Sequence, residues 1–550
     1  MLNELPPVAI IGAGPVGIAL ALRLAVLGIP SVLMDAKPHQ IKQGSKACLI
    51  QGDVVEILDK FGCGEQVGRE GIAWRIGHTY IRNNEVSRME YSKRPGYSEF
   101  VNISQFRIEQ IMLERLNVEP LCDLRWGHKI QGITPTDHGA RLSIETPDGD
   151  REMEFRYVVG CDGIHSQIRN AMNIDWTGYT HKDRFLITDI NVKLPLAKER
   201  HFHFDPNFNR GRQLVMHPQP NDMWRIDWQL APDTDIEREQ QTGALDKRIR
   251  AVIGNVDYKI DWLSTYRFNQ RVAERFKVGS VFLAGDAAHA LPPYGSRGMN
   301  SGIQDTDNLA WKMAAVLHGR AEETLLDSYH TERFSAAKEN LRITEATIRF
   351  MVPPTWAHRT WRDFLLWLSE RQPWARKLLN SGKMAEPFRY QNSALIADPM
   401  AGPLLGAFAP DLAVEGSRGD TRLRRCFGSD FTAIAFCNDD MAVARLADSW
   451  RALSVSQGLR VLALLPKGSD VTNVPDGIDT ALYSPADAQA YESAGDNWLL
   501  VRPDGHIAAM GELADMVSAR RAFFIASGYS DRASAPFVAQ QPTSVISAAE

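Results

Sequence analysis

Cysteine is scarce in this chain. Its 550 residues hold six, at 48, 63, 122, 161, 426 and 437, and no two stand as CxxC. That excludes a zinc finger, a dithiol redox centre and a disulfide scaffold, and it fits a reducing compartment, hence a cytoplasmic protein. An excess of either charge is also missing. Lys and Arg number 62 against 67 Asp and Glu, a formal net charge of −5, so no global field draws the chain to nucleic acid or an anionic surface. No apolar run reaches about 18 residues, so no membrane span is expected. The start, MLNELPPVAIIGAG, carries Glu4 and neither a basic region nor a cleavage site, so it does not read as a signal peptide. No internal repeat is visible. With 44% hydrophobic and 23% charged residues, a globular chain remains, long enough for three to four domains.

What is present is a β-α-β unit within the first 35 residues. The apolar run from Val8 to Ile11 is followed by Gly12-x-Gly14-Pro15-x-Gly17, apolar positions at helical spacing to about Leu27, and a second run from Ser31 to Asp35. Gly12 permits a tight turn, Gly14 lets a pyrophosphate approach the backbone, and Gly17 lets the helix pack close to the strand. The helix N-terminus offers N–H groups and positive dipole to the phosphates. Asp35, followed by Ala36, can accept from ribose hydroxyls and repels a 2′-phosphate, which favours the AMP half of FAD or NAD. Two further motifs each follow a buried strand. One is Gly160-Cys161-Asp162-Gly163 with Ser166 and Arg169. The other is Gly285-Asp286-Ala287-Ala288-His289, continued by Pro292-Pro293, Gly295 and Gly298-Met299-Asn300.

In these stretches, VAIIGAGPVG, VVGCDGIHSQIR and VFLAGDAAHALPPYGSRGMNSGIQDTDNLAWKM, the sequence resembles the class A flavin-dependent aromatic hydroxylases over about residues 7–395, and more weakly beyond. The resemblance implies that Asp286 hydrogen-bonds the ribitol of FAD. It implies that the loop from Pro292 to Asn300 packs by the isoalloxazine, with the following helix aimed at the flavin pyrimidine. It also implies a Gln opening the helix of residues 105–116, matched by Gln105, and an Arg after the second strand, where Lys46 stands instead and loses bidentate geometry. The segment of Asp162, Gly163 and Arg169 resembles the one serving both FAD and pyridine nucleotide. Only one GxGxxG follows a strand, so FAD would be resident, bound without a covalent link, and NADH or NADPH a visitor. The implied chemistry is the cofactor's: reduction of FAD, addition of O₂ to give a C4a-hydroperoxide, and attack by an electron-rich ring, giving hydroxylation of a small phenolic or aromatic substrate. Two other readings stay open. One is a related FAD enzyme performing epoxidation or Baeyer–Villiger oxidation of a polycyclic aromatic. The other is a turnover-deficient flavin protein that sequesters an intermediate.

The fold expected is α/β. A Rossmann-type FAD-binding domain (1–180 and 269–395) is split by an antiparallel-sheet substrate domain (181–268). A thioredoxin-like domain (396–525) and a tail (526–550) follow. The inserted sheet supplies the catalytic candidates His203, His217, Arg225, Asp227 and Tyr266, joined by Pro292 from the flavin loop. His201 and His203 share a strand face. One reads as a base for a phenol, or both lie on a solvent face opposite Phe202 and Phe204; an HxH metal site lacks a third ligand. Arg225 and Asp227 read either as a salt bridge or as an anchor for a substrate carboxylate or phenol. Trp356, Trp361, Trp367 and Trp374 read as core or interface residues, and a homodimer is possible. In the last unit Cys437 follows the strand FTAIAF without a partner thiol, so the unit reads as structural.

Overall fold

The computed structural model describes residues 7–529, except 42–46, 83, 92–95, 182–183, 354, 379–383, 385, 398–401, 438–442, 444–457, 470–473, 495–496 and 513–515. Lys46 and the tail from 530 onward therefore lie outside the described residues.

A six-stranded sheet organises the first half of the chain. Its order is Lys277–Val278, Val281–Leu283, Tyr157–Gly160, Val8–Ile11, Ser31–Asp35 and Cys122–Trp126. All neighbours are parallel except the first pair. The central strands are buried on both faces, which their unbroken apolar runs require. Ile11 pairs with Gly160, and Gly160 with Leu283. Three strands far apart in sequence thus end side by side, and each releases its glycine motif at the same edge. That edge is where open α/β sheets bind ligands.

A second, seven-stranded sheet runs Lys259–Tyr266, Arg184–Asn191, Met223–Leu230, Gln213–Gln219, Arg200–Phe204, Ile76–Ile81 and Asn84–Glu90. It is larger than the 181–268 segment, because Ile76–Ile81 joins it in parallel against Arg200–Phe204. One face packs Leu186, Leu214, Trp224 and Trp228 against Leu245 and Ile249 of the helix Ala244–Ile253. The other gathers Phe185, Phe202 and Phe204 with Tyr294 of the flavin loop and with Ile348 and Met351.

Two long helices follow the third motif: Arg297–Leu317, buried almost all round, and Asp327–Met351. The helix Trp356–Arg371 begins just past the prolines, capped by Thr355, whose side chain accepts the His358 N–H. Its Trp356 is 81% exposed and Trp361 60%; with Trp367 and Trp374 also exposed, these tryptophans are not core residues.

The C-terminal unit is a mixed sheet ordered Val414–Gly416, Ile478–Tyr483, Leu459–Pro466, Phe431–Phe436, Asn497–Val501 and Ile507–Glu512. The first and fourth of these in chain order, Val414–Gly416 and Ile478–Tyr483, were not legible as strands. Cys437 follows the central strand and is buried, and all six cysteines are free thiols. The unit is not merely tethered. The hairpin turn at 502–506 drives Arg502 and Asp504 into the first domain, where Arg502 forks onto Glu332 (2.5 and 2.8 Å) and also reaches Asp504 (2.5 Å).

Candidate functional site

The first motif is built by close approach. Gly12 has φ +107°, and an added Cβ would lie 2.5 Å from the Cys161 carbonyl oxygen. A Cβ on Gly17 would lie 1.9 Å from the Gly12 carbonyl oxygen. At Gly14, by contrast, a Cβ would meet nothing within 4 Å, so the concavity opens there. Pro15 opens the helix Pro15–Val26, and no side chain caps its N-terminus. Its first N–H groups stay free for an anion. Asp35 sits at the strand end and accepts the Ala13 N–H (2.8 Å) and the Lys37 N–H (2.9 Å); Ala36 beside it is exposed. The carboxylate therefore steadies the glycine loop and keeps lone pairs for further donors.

The second motif leans on the third. Asp162 Oδ2 accepts the Gln167 and Ile168 N–H groups (2.7 and 3.2 Å), while its buried Oδ1 has no partner. Burial raises its pKa. Gly163 (φ +77°) leaves open space at its Cβ position. Arg169 is buried, stacks on Trp176 and donates to the carbonyls of Ala287 (3.0 Å) and Ile164 (2.9 Å). Its visible role is to tie the two motifs together.

In the third motif Gly285 is held against Val16, and Asp286 is the exposed residue between buried neighbours. The hub beneath is Asp305. It accepts the Gly285 N–H (3.0 Å), pairs with His289 Nε2 (2.7 Å) and takes Arg333 Nε (2.6 Å). Burial pushes its carboxyl up, but His289 and Arg333 hold it below the usual range. Sequence reasoning missed Asp305 and Arg333. The available signal was Asp305, Asp307 and Lys312 inside a helix with no solvent face.

Pro292 is buried, Gly295 has φ +76°, and a Cβ on Gly298 would meet nothing within 4 Å. No side chain caps the helix Arg297–Leu317. Met299 is buried, and Asn300 clamps the helix to the strand Leu49–Gln51, accepting the Gln51 N–H (3.0 Å) and donating to Leu49 O (3.2 Å). Gln105 Oε1 accepts the Ala47 N–H (3.3 Å), steadying the residue next to Lys46. Two uncapped helix N-termini, openings at Gly14, Gly163 and Gly298, and the orphan Asp162 oxygen suit one long ligand. It would carry phosphates at one end and a ring that gains negative charge at the other, as FAD does.

The substrate sheet sorts its own candidates. Strand alternation and register put His217 opposite Arg225, Arg225 opposite Asp189, Asp227 opposite Val215, and Tyr266 opposite Phe185. All face the side that holds Tyr294, whose hydroxyl accepts from Gln213 Nε2 (2.6 Å). His203 does not belong with them. It lies opposite Leu214 on the other face, stacked 4.5 Å from Tyr80, and burial pushes its pKa down to about 4. His201 is buried on that same face and hydrogen-bonds Tyr80 (3.1 Å), so that face is not a solvent face there. The expected pairing of Arg225 with Asp227 is also corrected. Arg225 forks onto Asp189 (2.7 and 2.7 Å), because the antiparallel register sets those two directly opposite. Asp227 is left with a buried, unpartnered Oδ1. Burial, aided by Asp189 and opposed by Arg225 and Arg200, pushes its carboxyl up to about 7. His217 is held well below its ordinary value by burial and by Arg200 and Arg225, so it is neutral. Burial raises the Tyr266 phenol. Among the described residues, no group of three or more His, Cys, Asp or Glu could hold a metal ion, and no helix is long and apolar enough to cross a membrane.

Residues 6–344 match the family model of an FAD binding domain, and residues 402–524 match that of the aromatic-ring hydroxylase C-terminal region. Over 527 residues, 92% of each chain, the sequence is 28% identical to a 3-(3-hydroxy-phenyl)propionate/3-hydroxycinnamic acid hydroxylase of Shigella sonnei, and 27% identical to that of Escherichia coli. The fold is similar to that of the flavin-dependent monooxygenase PieE, solved with FAD and substrate (TM-score 0.77, 22% identity, 96% of this chain and 99% of that one). It is also similar to aklavinone-11 hydroxylase, solved with FAD and aklavinone (TM-score 0.73, 20% identity, 96% and 99%). With the cradle, the open helix ends and the family match in agreement, this chain belongs to the FAD-dependent aromatic-ring hydroxylases, flavoprotein monooxygenases.

Proposed function

We propose that the chain hydroxylates a small phenolic compound with NADH or NADPH and O₂, and that Asp227 takes the phenol proton. When bound, FAD supplies the reducible ring and the activated oxygen. The protein's own work is to hold the ring, exclude water and move one proton. The residues proposed to hold the cofactor are Gly12, Gly14, Pro15, Gly17, Asp35, Ala36, Gln105, Asp162, Gly163, Arg169, Gly285, Asp286, Pro292, Gly295, Gly298, Met299 and Asn300; Lys46, proposed with them from the sequence, lies outside the described residues. The observation that carries the substrate reading is the single sheet face on which Asp227, His217 and Tyr266 share an aromatic wall with Tyr294 of the flavin loop. An ionised Asp227 can accept a proton that would otherwise hold down the electron density of the ring. His217, neutral and with an unpartnered Nδ1, is placed to relay or orient it. The phenolic ring in the relatives' names supports the same choice. Domain limits of 1–180 with 269–395, 181–268 and 396–525 belong to this reading. So do a cytoplasmic location, supported by six cysteines that form no disulfide, and a homodimer, supported by the exposed aromatic face of Trp356–Arg371.

The test is a screen of aromatic compounds for stimulated NADH and NADPH consumption, with product mass measured. A phenol should accelerate consumption and gain one oxygen atom; no stimulation by any phenol would overturn the reading. Asp227 also makes a pH prediction. With its pKa near 7, kcat/KM should rise with pH through about 7 and then level. Asp227→Asn should flatten that limb and lower the rate by roughly 10²- to 10⁴-fold. The stability sign is opposite. A carboxyl raised above its unfolded value favours folding most below pH 4 and loses that contribution as pH rises to 7. Asp227→Asn should therefore melt higher than the parent at pH 8 and about equally at pH 4; a melt lowered at pH 8 would contradict the buried, unpaired carboxylate.

A further inference from the structure

We propose that Gln213 is a second hydrogen-bonding point for the substrate, so that the ring hydroxylated carries a further O–H or N–H donor besides the phenol that Asp227 deprotonates. This rests on the hydroxylase reading and deepens it.

Gln213 opens the strand Gln213–Gln219, and alternation puts it on the face of Val215 and His217, away from Leu214 and Met216. It is 3% exposed. Its Nε2 donates to the Tyr294 hydroxyl (2.6 Å), which ties the amide to the flavin loop. Its backbone is held as well. Asn209 Nδ2 donates to the main-chain carbonyls of Gln213 and Gln229, 3.2 Å each, and so braces the two strands there. With the backbone and Nε2 both held, the amide oxygen is a fixed acceptor. That oxygen, Oε1, is buried, and no described residue donates to it.

The register sets this oxygen beside the proposed base. Leu214 pairs with Trp228 and Val215 with Asp227, so Gln213 stands opposite Gln229. It is therefore diagonal to Asp227, roughly 7–8 Å away on the same face. Asp227 Oδ1 is likewise buried without a partner. The other neighbours are aromatic. Phe204 lies opposite Gln213, Phe185 lies opposite Gln229, and Phe185 and Phe268 meet the Tyr294 ring edge-on. The phenylalanine rings have no polar hydrogen to give to Oε1. His217, on the same strand, stands four residues on, roughly 13 Å along the chain.

The wall thus presents two acceptors and a donor for neither. A buried acceptor left open is costly, so a ligand that completes it is favoured over one that does not. A ring with one hydroxyl answers Asp227 alone. A ring with two donors answers both. The diagonal spacing suits groups set 1,3 or 1,4 on a ring, not groups on neighbouring carbons. The chemistry agrees, because a second hydroxyl or an amino group feeds electron density into the ring that must be oxidised. The substrate class is then a dihydroxy- or amino-hydroxy-aromatic compound.

The test uses FAD-loaded protein titrated with resorcinol, hydroquinone and 3-aminophenol, each compared with phenol and with 3-methoxyphenol or 4-methoxyphenol. Flavin absorbance in the absence of oxygen reads binding, and NADH and NADPH consumption in air reads turnover. At least one two-donor ring should bind the parent roughly 10- to 100-fold more tightly than both phenol and the matching ether. Gln213→Met removes the acceptor at nearly the same side-chain length and should bring that ratio close to one, with KM moving more than kcat. Gln213→Glu keeps an oxygen in place and can accept from the Tyr294 hydroxyl, so most of the preference should return. Equal binding of two-donor and one-donor rings by the parent would overturn the subsite. So would a ratio unchanged in Gln213→Met. Loss of flavin or turnover in that variant with the ratio intact would overturn it too, since the residue would then only brace Tyr294. A two-donor preference in the parent without nucleotide consumption would sink the hydroxylase reading and leave the subsite standing. Phenol bound and turned over as well as the two-donor rings would do the reverse.

Discussion

Gly12→Ala is expected to strip the chain of FAD. Two independent penalties meet at this residue. Its φ of +107° is a conformation that side chains with a Cβ rarely adopt, and the new methyl would lie 2.5 Å from the Cys161 carbonyl oxygen. That neighbour is backbone and cannot rotate away. Strain of about 1–3 kcal/mol adds to overpacking of about 1–3 kcal/mol. Relief requires the Cys161-Asp162 turn to retreat, and with it the Cys161 N–H bond to Ile11 O at 2.7 Å. The first two glycine motifs would then part at the edge where the dinucleotide is proposed to lie. Flavin absorbance per mole of purified protein measures the effect. Gly14→Ala is the control: its Cβ meets open space, so the protein should fold normally and lose FAD affinity alone. Full flavin content in Gly12→Ala would refute the account.

Arg502→Met should be equally damaging, although it lies in the C-terminal unit. Glu332 and Asp504 are fully buried carboxylates that Arg502 joins. Without it, Lys312 alone remains ion-paired with Glu332 (2.7 Å). Breaking a buried pair by removing one partner costs about 3–5 kcal/mol. The effect should reach the flavin, because Glu332 is followed by Arg333, which holds Asp305 beneath Gly285 and His289. Denaturant melts and flavin retention should fall together. The pH dependence is diagnostic. In the parent, burial pushes both carboxyls up but Arg502 holds them well below the ordinary range. Their contribution is therefore present above about pH 4 and lost only as strong acid protonates them. In Arg502→Met the pKa values should rise, so the variant should regain stability as pH falls from 8 to 5. A variant with parental stability and flavin content would show the turn to be mere packing.

These results also say what could be read early. The three glycine motifs were legible because each needs a residue type that little else explains: glycine where a Cβ would strike backbone, as at Gly12 and Gly17, or where φ is positive, as at Gly163, Gly285 and Gly295. The substrate sheet was legible only as alternation. Alternation assigns residues to two faces but not to a partner strand. His203 was therefore grouped with His217, and Arg225 was paired with Asp227 two residues on instead of with Asp189 across the sheet. Asp305 was hidden inside a helix whose burial depends on elements from 15 to 390.

By itself, the sequence determined the elements whose physics is local. These are the β-α-β cradle, the phosphate-ready helix starts, the missing second thiol beside Cys437, and the flavin chemistry they imply. Only the tertiary structure decided that strands ending at 11, 160 and 283 lie side by side, and that Arg502 closes an ion network in another domain. It alone decided which polar side chains on the substrate face are already paired. Glycine turns and helix starts are set by neighbours within a few residues. A buried charge is satisfied or left open by whatever the fold brings opposite it, and in this chain that partner stands as few as two residues away, as for Arg502 and Asp504, or as many as 284, as for Arg23 and Asp307.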